Sequence, residues 1–280
     1  MTNQFRHGSR YPSFGATTSK FADEIHAAAN NATTGGFDAK GPLAFLNSWT
    51  YNLGAELLTP FGRQQLFVEG VAARLMYGHL LNNFTESNQL PLLRTESQDR
   101  MVKSAQNFAA GFFGIPADDQ YNLLIQIEAD GFNTTGAGYD NCPNDDLDPG
   151  YLGSDAQSRY YAKRYPPTVA RLNSFIDGFT FDVADVNSMM QLCAYESIAL
   201  GYSKFCEIFT EEEFKVRLIP LSAGLAPRPR PPLTVPPSPL KLCDRSLAWV
   251  TISISTATHS WAAPSPRRRV KASWRSSSRA

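Results

Sequence analysis

Cysteine and histidine are both scarce in this chain, four of each in 280 residues, and no CxxC pair occurs. The histidines, His7, His26, His79 and His259, show none of the spacings that close a structural zinc site, so neither a metal nor another cofactor is expected. No run approaches the ~20 apolar residues of a membrane helix, which argues against a transmembrane span and a membrane partner. The opening residues MTNQF are polar rather than basic-then-apolar and do not read as a secretory signal. An excess of either charge is missing too, because 26 basic residues balance 26 acidic ones.

That balance hides another absence. Beyond residue 215 there is no Phe and no Tyr, although the chain has 18 and 11 of them, and the only acid is Asp244. Residues 1–215 carry 15 Lys and Arg against 25 Asp and Glu, whereas 216–280 carry 11 against one, with ten of the 19 prolines. Two kinds of polypeptide meet near Lys215. The second lacks the aromatics for a core and is too rich in Pro for helix or inner strand. Residues 216–280 are therefore expected to be an aberrant or disordered tail, from out-of-frame or intron-derived translation or a grossly altered splice product. Within it, TISISTAT is expected to form an isolated strand without a partner. PRRRVKASWRSSSRA is read as a solvated basic patch, not a nucleic-acid site.

In the body, SKFADEIHAAANN reads as a short helix, and LAFLNSWTYNL (residues 43–53) as a helical turn or a strand. Thr59-Pro60 has the form of an N-cap followed by proline at the first helical position, and the run after it keeps helical period through Leu66, Val71, Leu75 and Leu80. QLPLL (89–93) reads as a strand, with a capping box from Thr95 to Gln98 opening a helix that lasts to Gly111 or Gly114. YNLLIQIEAD alternates as a buried strand would. Residues 154–201 read as largely helical with a break at Pro166-Pro167, and EEEFK as a last short helix. Strands mixed with helices predict an α/β body with a sizeable helical insertion.

The stretch RHGSRYP places His7 between Arg6 and Arg10. Neighbouring positive charge disfavours imidazolium, so the His7 pKa is expected below the ordinary ~6.5, with the ring neutral and nucleophilic. Gly8 removes a side chain beside the ring, leaving room for a bulky anion. Arg6 and Arg10 supply planar, permanently charged forks that suit phosphate oxygens. The pattern fits a phosphoryl group held by arginines while His7 attacks phosphorus.

RHGxRxP resembles the signature of the histidine acid phosphatases, a branch of the phosphoglycerate-mutase-like superfamily. LTPFGRQQ (Leu58–Gln65) resembles the family's LTPxGxxQ segment, and LPLLRTESQDRMVKSAQNFAAGFFG (Leu90–Gly114) the segment carrying its third phosphate-binding arginine. CAYESIALGYSKFCEIFTEEEF (Cys193–Phe214) is similar to a region with a local disulfide in secreted fungal phytases. The four stretches lie in the family's order between residues 6 and 214.

The resemblance implies a mixed sheet flanked by helices with a helical subdomain, incomplete here. It assigns residues 1–215 to a partial phosphatase domain, with the helical insertion at approximately 150–201. It implies a phosphomonoester hydrolase of acid phosphatase or phytase type, with His7 forming a phosphohistidine and Arg6, Arg10 and Arg94 binding phosphate. Arg100 and Lys103 are expected to face solvent or make ion pairs, and Lys20 is the one nearby candidate for a specificity contact. The substrate partner would be a phosphomonoester such as phytate, with the arginines doing the work of a divalent ion.

Three expectations qualify this picture. The family's distal His-Asp pair, whose Asp protonates the leaving alcohol, has no counterpart, since His259 is followed by Ser260. Turnover is therefore expected to be impaired, and a non-catalytic fragment that binds phosphate or inositol phosphates is the alternative. A Cys193–Cys206 bridge would close a loop of about a dozen residues and stabilise by roughly 2–3 kcal/mol, leaving Cys142 and Cys243 over. Sequons at Asn31, Asn83 and Asn133 tilt the reading toward a secreted glycoprotein.

Overall fold

The computed structural model describes residues 2–31, 35–81, 90–132, 134, 136–137, 148–218 and 249–253. Its principal sheet has four strands in the order β1 (Thr2–Arg6), β6 (Trp249–Ser253), β3 (Leu92–Glu96) and β4 (Asn122–Gln126). β6 is antiparallel to both its neighbours, and β3 is parallel to β4. Strands β1, β3 and β4 consequently run the same way and end at one edge, where open α/β sheets place their ligands.

The middle position of β6 corrects the expectation of a partnerless tail strand. Its backbone pairs Thr2–Arg6 with Ser253–Trp249 on one side and Leu92–Arg94 with Ser253–Thr251 on the other. Consecutive β-branched residues (Val250, Thr251 and Ile252) suit such a doubly paired strand, and two facing open strand edges supply the partners.

The other departures have local causes. β3 starts three residues later than QLPLL and runs to Glu96, because pairing with β4 continues that far. Thr95 is thus a buried strand residue and not part of a capping box, and helix α3 (Asp99–Phe113) begins after Gln98 without a side-chain cap. β4 is the sheet's last strand and is not buried; its Leu124 and Ile125 are 42% and 45% exposed. Residues 41–48 form a 3-10 helix.

Helix α2 (Pro60–Tyr77) starts as expected: Thr59 is the N-cap, its hydroxyl accepts from the Gly62 N–H, and Pro60 is the first residue. α2 packs on α3, and α3 covers one face of the sheet. Phe108 of α3 lies 5.0 Å, ring to ring, from Phe5 of β1, with Leu93, Met101, Ala105 and Phe112 buried around them.

A second core is helical. It gathers α1 (Thr17–Ala29), the 41–48 turn, α5 (Pro166–Asn173), α6 (Val183–Leu200) and the chain around Phe205. Phe21, Leu43, Tyr165, Met189 and Phe205 are buried there, and a two-stranded ribbon joins β2 (Asp38–Ala39) to β5 (Ile176–Asp177). The helical unit is therefore assembled from both sides of the α2–α3 layer in sequence. α4 (Asp148–Arg164) precedes α5, and the expected break falls at Tyr165, just before Pro166.

Candidate active site

β1 ends at Arg6, so His7 is the first residue beyond the sheet edge. The loop that follows is held along its whole length. Arg10 and Leu58 form an isolated antiparallel bridge. Around it, Thr59 N–H donates to the Ser9 carbonyl at 3.0 Å, Tyr11 N–H to Leu57 at 2.9 Å and Glu56 N–H to Pro12 at 2.9 Å. The Thr59 hydroxyl donates to the Ser9 carbonyl at 3.0 Å, and Gln65 Oε1 accepts from the Ser9 N–H at 2.9 Å and hydroxyl at 2.7 Å. From α3, Ser104 Oγ accepts from Gly8 N–H at 3.2 Å. Thr59, Pro60, Gly62 and Gln65 of the LTPFGRQQ segment thus serve to seat the His7 loop.

The two motif glycines belong to this seating. A Cβ on Gly62 would overlap the Ser9 carbonyl, and one on Gly8 would overlap the Gly62 carbonyl and reach 2.7 Å from Leu66 Cδ2. The space expected beside Gly8 for an anion is filled by the start of α2.

His7 is half-buried, with Nδ1 2.7 Å from the carbonyl oxygen of Gly8. A carbonyl can only accept, so Nδ1 carries the proton and Nε2 presents its lone pair. The His7 pKa is lowered from 6.5 to about 4. Burial is the largest cause; the Gly8 bond opposes it, and the charges of Arg10, Arg6 and Arg100 add to the lowering. Flanking charge, the cause expected from the sequence, is real but ranks after desolvation.

Arg6 is exposed, and Arg10 donates from Nη1 to the Tyr11 carbonyl at 2.8 Å, which fixes its fork while leaving other donors. The third guanidinium whose field reaches His7 belongs to Arg100. Its side chain is only 16% exposed and forms an ion pair with Glu56, so the ion pair was foreseeable but the burial was not. Arg100 is the second residue of α3, and this places it at the sheet edge.

Arg94 sits elsewhere. It lies in the middle of β3, paired with Thr251 and Leu124, with β6 between it and β1. Through Thr251 it is level with Gln4, two residues short of Arg6. Its Nε is buried with no hydrogen-bond partner. Its charge is not among those that shift His7. The sequence signal that would have separated the two arginines is the helix start: LLRTESQDR holds both, and only Arg100 falls in the first turn of α3.

Lys103 contacts Gln106 on its own helix at 3.3 Å, and Lys20 is exposed on α1. A disulfide joins Cys193 and Cys206. Asn31 is exposed just beyond α1, whereas Asn83, Asn133, Cys142 and Cys243 lie outside the described residues. Among the described residues no three His, Cys, Asp or Glu side chains gather as a metal-binding group, and no helix is long and apolar enough to cross a membrane.

A family model for the histidine phosphatase superfamily (branch 2) matches residues 5–217. Phytase A of Aspergillus oryzae is 33% identical over 224 residues and Phytase A of Neurospora crassa 29% over 240; each alignment covers 75% of this chain and 45% of the relative. The solved phytase from D. castellii superposes with a TM-score of 0.60 at 25% identity, covering 77% of this chain and 48% of that one. The chain thus spans about half the length of the relatives it matches.

Proposed function

The chain belongs to the histidine phosphatase superfamily (branch 2), and from that membership we propose that it is a phosphomonoester hydrolase of acid phosphatase or phytase type working through phosphorylated His7. The observation that carries the proposal is a neutral imidazole, its Nε2 unprotonated, in the field of three guanidinium groups at the ends of parallel strands. Nε2 attacks phosphorus, the bond from phosphorus to the ester oxygen breaks, and the leaving oxygen takes a proton. Water then attacks the phosphohistidine, releasing phosphate and regenerating the free ring. Arg6, Arg10 and Arg100 are proposed to hold the phosphoryl oxygens as charge spreads over them. Arg94, expected from the sequence as a phosphate ligand, is not included in this proposal, because its charge is not among those that shift His7. Phytate is the proposed substrate because the relatives are phytases.

Protonation of the leaving group is the weak step. No His-Asp dipeptide occurs in the 280 residues, and a missing general acid typically costs ~10²–10⁴ in rate. Esters whose leaving groups need no proton should react, and alkyl phosphates should lag. The same absence supports a second reading, a fragment that binds phosphate or inositol phosphates without turnover. The disulfide and the exposed Asn31 sequon support an extracellular address.

Incubation with p-nitrophenyl phosphate at acid pH, with detection of phosphohistidine, separates the two. Nitrophenol release with phosphate trapped on wild type and absent from His7→Ala supports the hydrolase. Phosphate binding without phosphoenzyme supports the binding fragment. Neither, from a folded sample, refutes both.

A further inference from the structure

Arg100 reaches the His7 site as a paired side chain, and its partner has an unusual backbone. Glu56 is the one non-glycine residue with positive φ among the described residues, at 63°. A side-chain-bearing residue occupies that region at a cost and stays there when its surroundings fix it. Here they do. The Glu56 N–H donates to the Pro12 carbonyl at 2.9 Å, which anchors it to the exit of the His7 loop. Its Oε1 accepts from Phe14 N–H at 3.1 Å, and its Oε2 accepts from Arg100 Nη1. One carboxylate thus ties the loop after His7 to the first turn of α3.

The pairing is directional in its effect. Glu56 engages Arg100 through Nη1, while Arg100 Nε is buried with no hydrogen-bond partner. The charges that shift His7 are those of Arg10, Arg6 and Arg100. The carboxylate is therefore spent on the arginine, not on the imidazole.

We propose that Glu56 is a positioning residue: its carboxylate, held by a positive-φ backbone, keeps the Arg100 guanidinium turned toward His7 so that its remaining donors meet the phosphoryl oxygens. This rests on the reading of Arg100 as a phosphate ligand. Without Glu56, three like charges would crowd one imidazole and Arg100, the one on a helix end, would swing toward solvent.

The test uses the 280-residue chain and inorganic phosphate. Glu56→Gln retains an acceptor for Phe14 and removes the charge that holds Arg100. Calorimetry should show phosphate binding weakened about tenfold, Arg100→Ala weakened at least as much, and the double variant no weaker than Arg100→Ala alone. NMR titration of His7 supplies a readout that plain destabilisation would not move. If Arg100 swings away, the His7 midpoint rises in Glu56→Gln; if only a carboxylate is lost and Arg100 stays, it falls. Glu56→Asp should recover part of the affinity, and it serves the same comparison should the Gln variant fail to fold. A lowered or unchanged His7 midpoint, additive losses, or unchanged phosphate affinity in Glu56→Gln overturns the proposal. If Arg100→Ala itself leaves phosphate binding intact, the assignment of Arg100 has failed, not merely that of Glu56.

Discussion

Lowering the pH from about 7 to about 3 carries His7 through a midpoint held at about 4 instead of 6.5. At pH 5 an ordinary histidine is about 97% protonated, whereas a ring with the His7 midpoint is about 10% protonated. The nucleophilic form therefore survives in acid that would disarm a normal imidazole. The assay is kcat/KM for p-nitrophenyl phosphate across this range, with the His7 ring followed by NMR. The acid limb should stay flat to about pH 4 and then fall about tenfold per unit. Because burial outranks charge among the causes, Arg10→Ala should raise the midpoint while leaving it below 6.5. Linkage fixes the accompanying stability trend. The folded pKa is depressed, so between pH 6.5 and 4 the unfolded chain binds more protons and stability falls as the pH drops; below 4 this contribution levels off. An acid limb near 6.5 in the wild type, or full return to 6.5 in Arg10→Ala, would refute burial as the main source of the shift.

Gly62→Ala drives a Cβ into the Ser9 carbonyl and should cost about 1–3 kcal/mol in urea unfolding, together with phosphate affinity; an unperturbed melt would contradict the close approach. Opening the disulfide with paired Cys193→Ser and Cys206→Ser, 13 residues apart, should cost about 3 kcal/mol by the same measurement. Asp185, its pKa raised to about 6 by burial with Asp182 and Glu24 nearby, should make stability fall as pH rises from about 4 to 6. This opposes the His7 contribution over the same range, so Asp185→Asn should leave stability rising more steeply with pH there, and an unchanged profile would place the origin of the slope elsewhere.

Local signals with one physical meaning were legible in the sequence. Thr59-Pro60 marked the start of α2 because the N-cap hydroxyl accepts from one orphan N–H of the first turn and proline removes another. The Cys193–Cys206 pair was readable from its closeness in sequence. Long-range pairing was not legible. Nothing within VTIS announces that it will lie between β1 and β3, because strand propensity carries no address for its partners. The same gap bears on the third arginine. Arg94 and Arg100 share one segment, and choosing between them requires knowing that β3 runs on to Glu96 and α3 starts at Asp99. Gly8 failed differently: its permissiveness was read as space for a ligand, whereas the space belongs to the backbone of another helix.

The electrostatics and the leaving-group problem are linked. Among the described residues the charges that shift His7 are all cationic, which favours binding a dianion and stabilises negative charge on the phosphoryl oxygens. The same field opposes a proton moving toward the ester oxygen, so a donor must be a neutral acid brought close. The site as built should therefore phosphorylate itself readily and depend steeply on how well the leaving group carries its own charge. Rates for a series of aryl phosphates should fall as the phenol pKa rises, and an Arg100→Ala variant should lose rate across the series without steepening the trend, since the arginine acts on phosphorus-bound oxygens. A flat series in the wild type would mean that a proton donor operates after all.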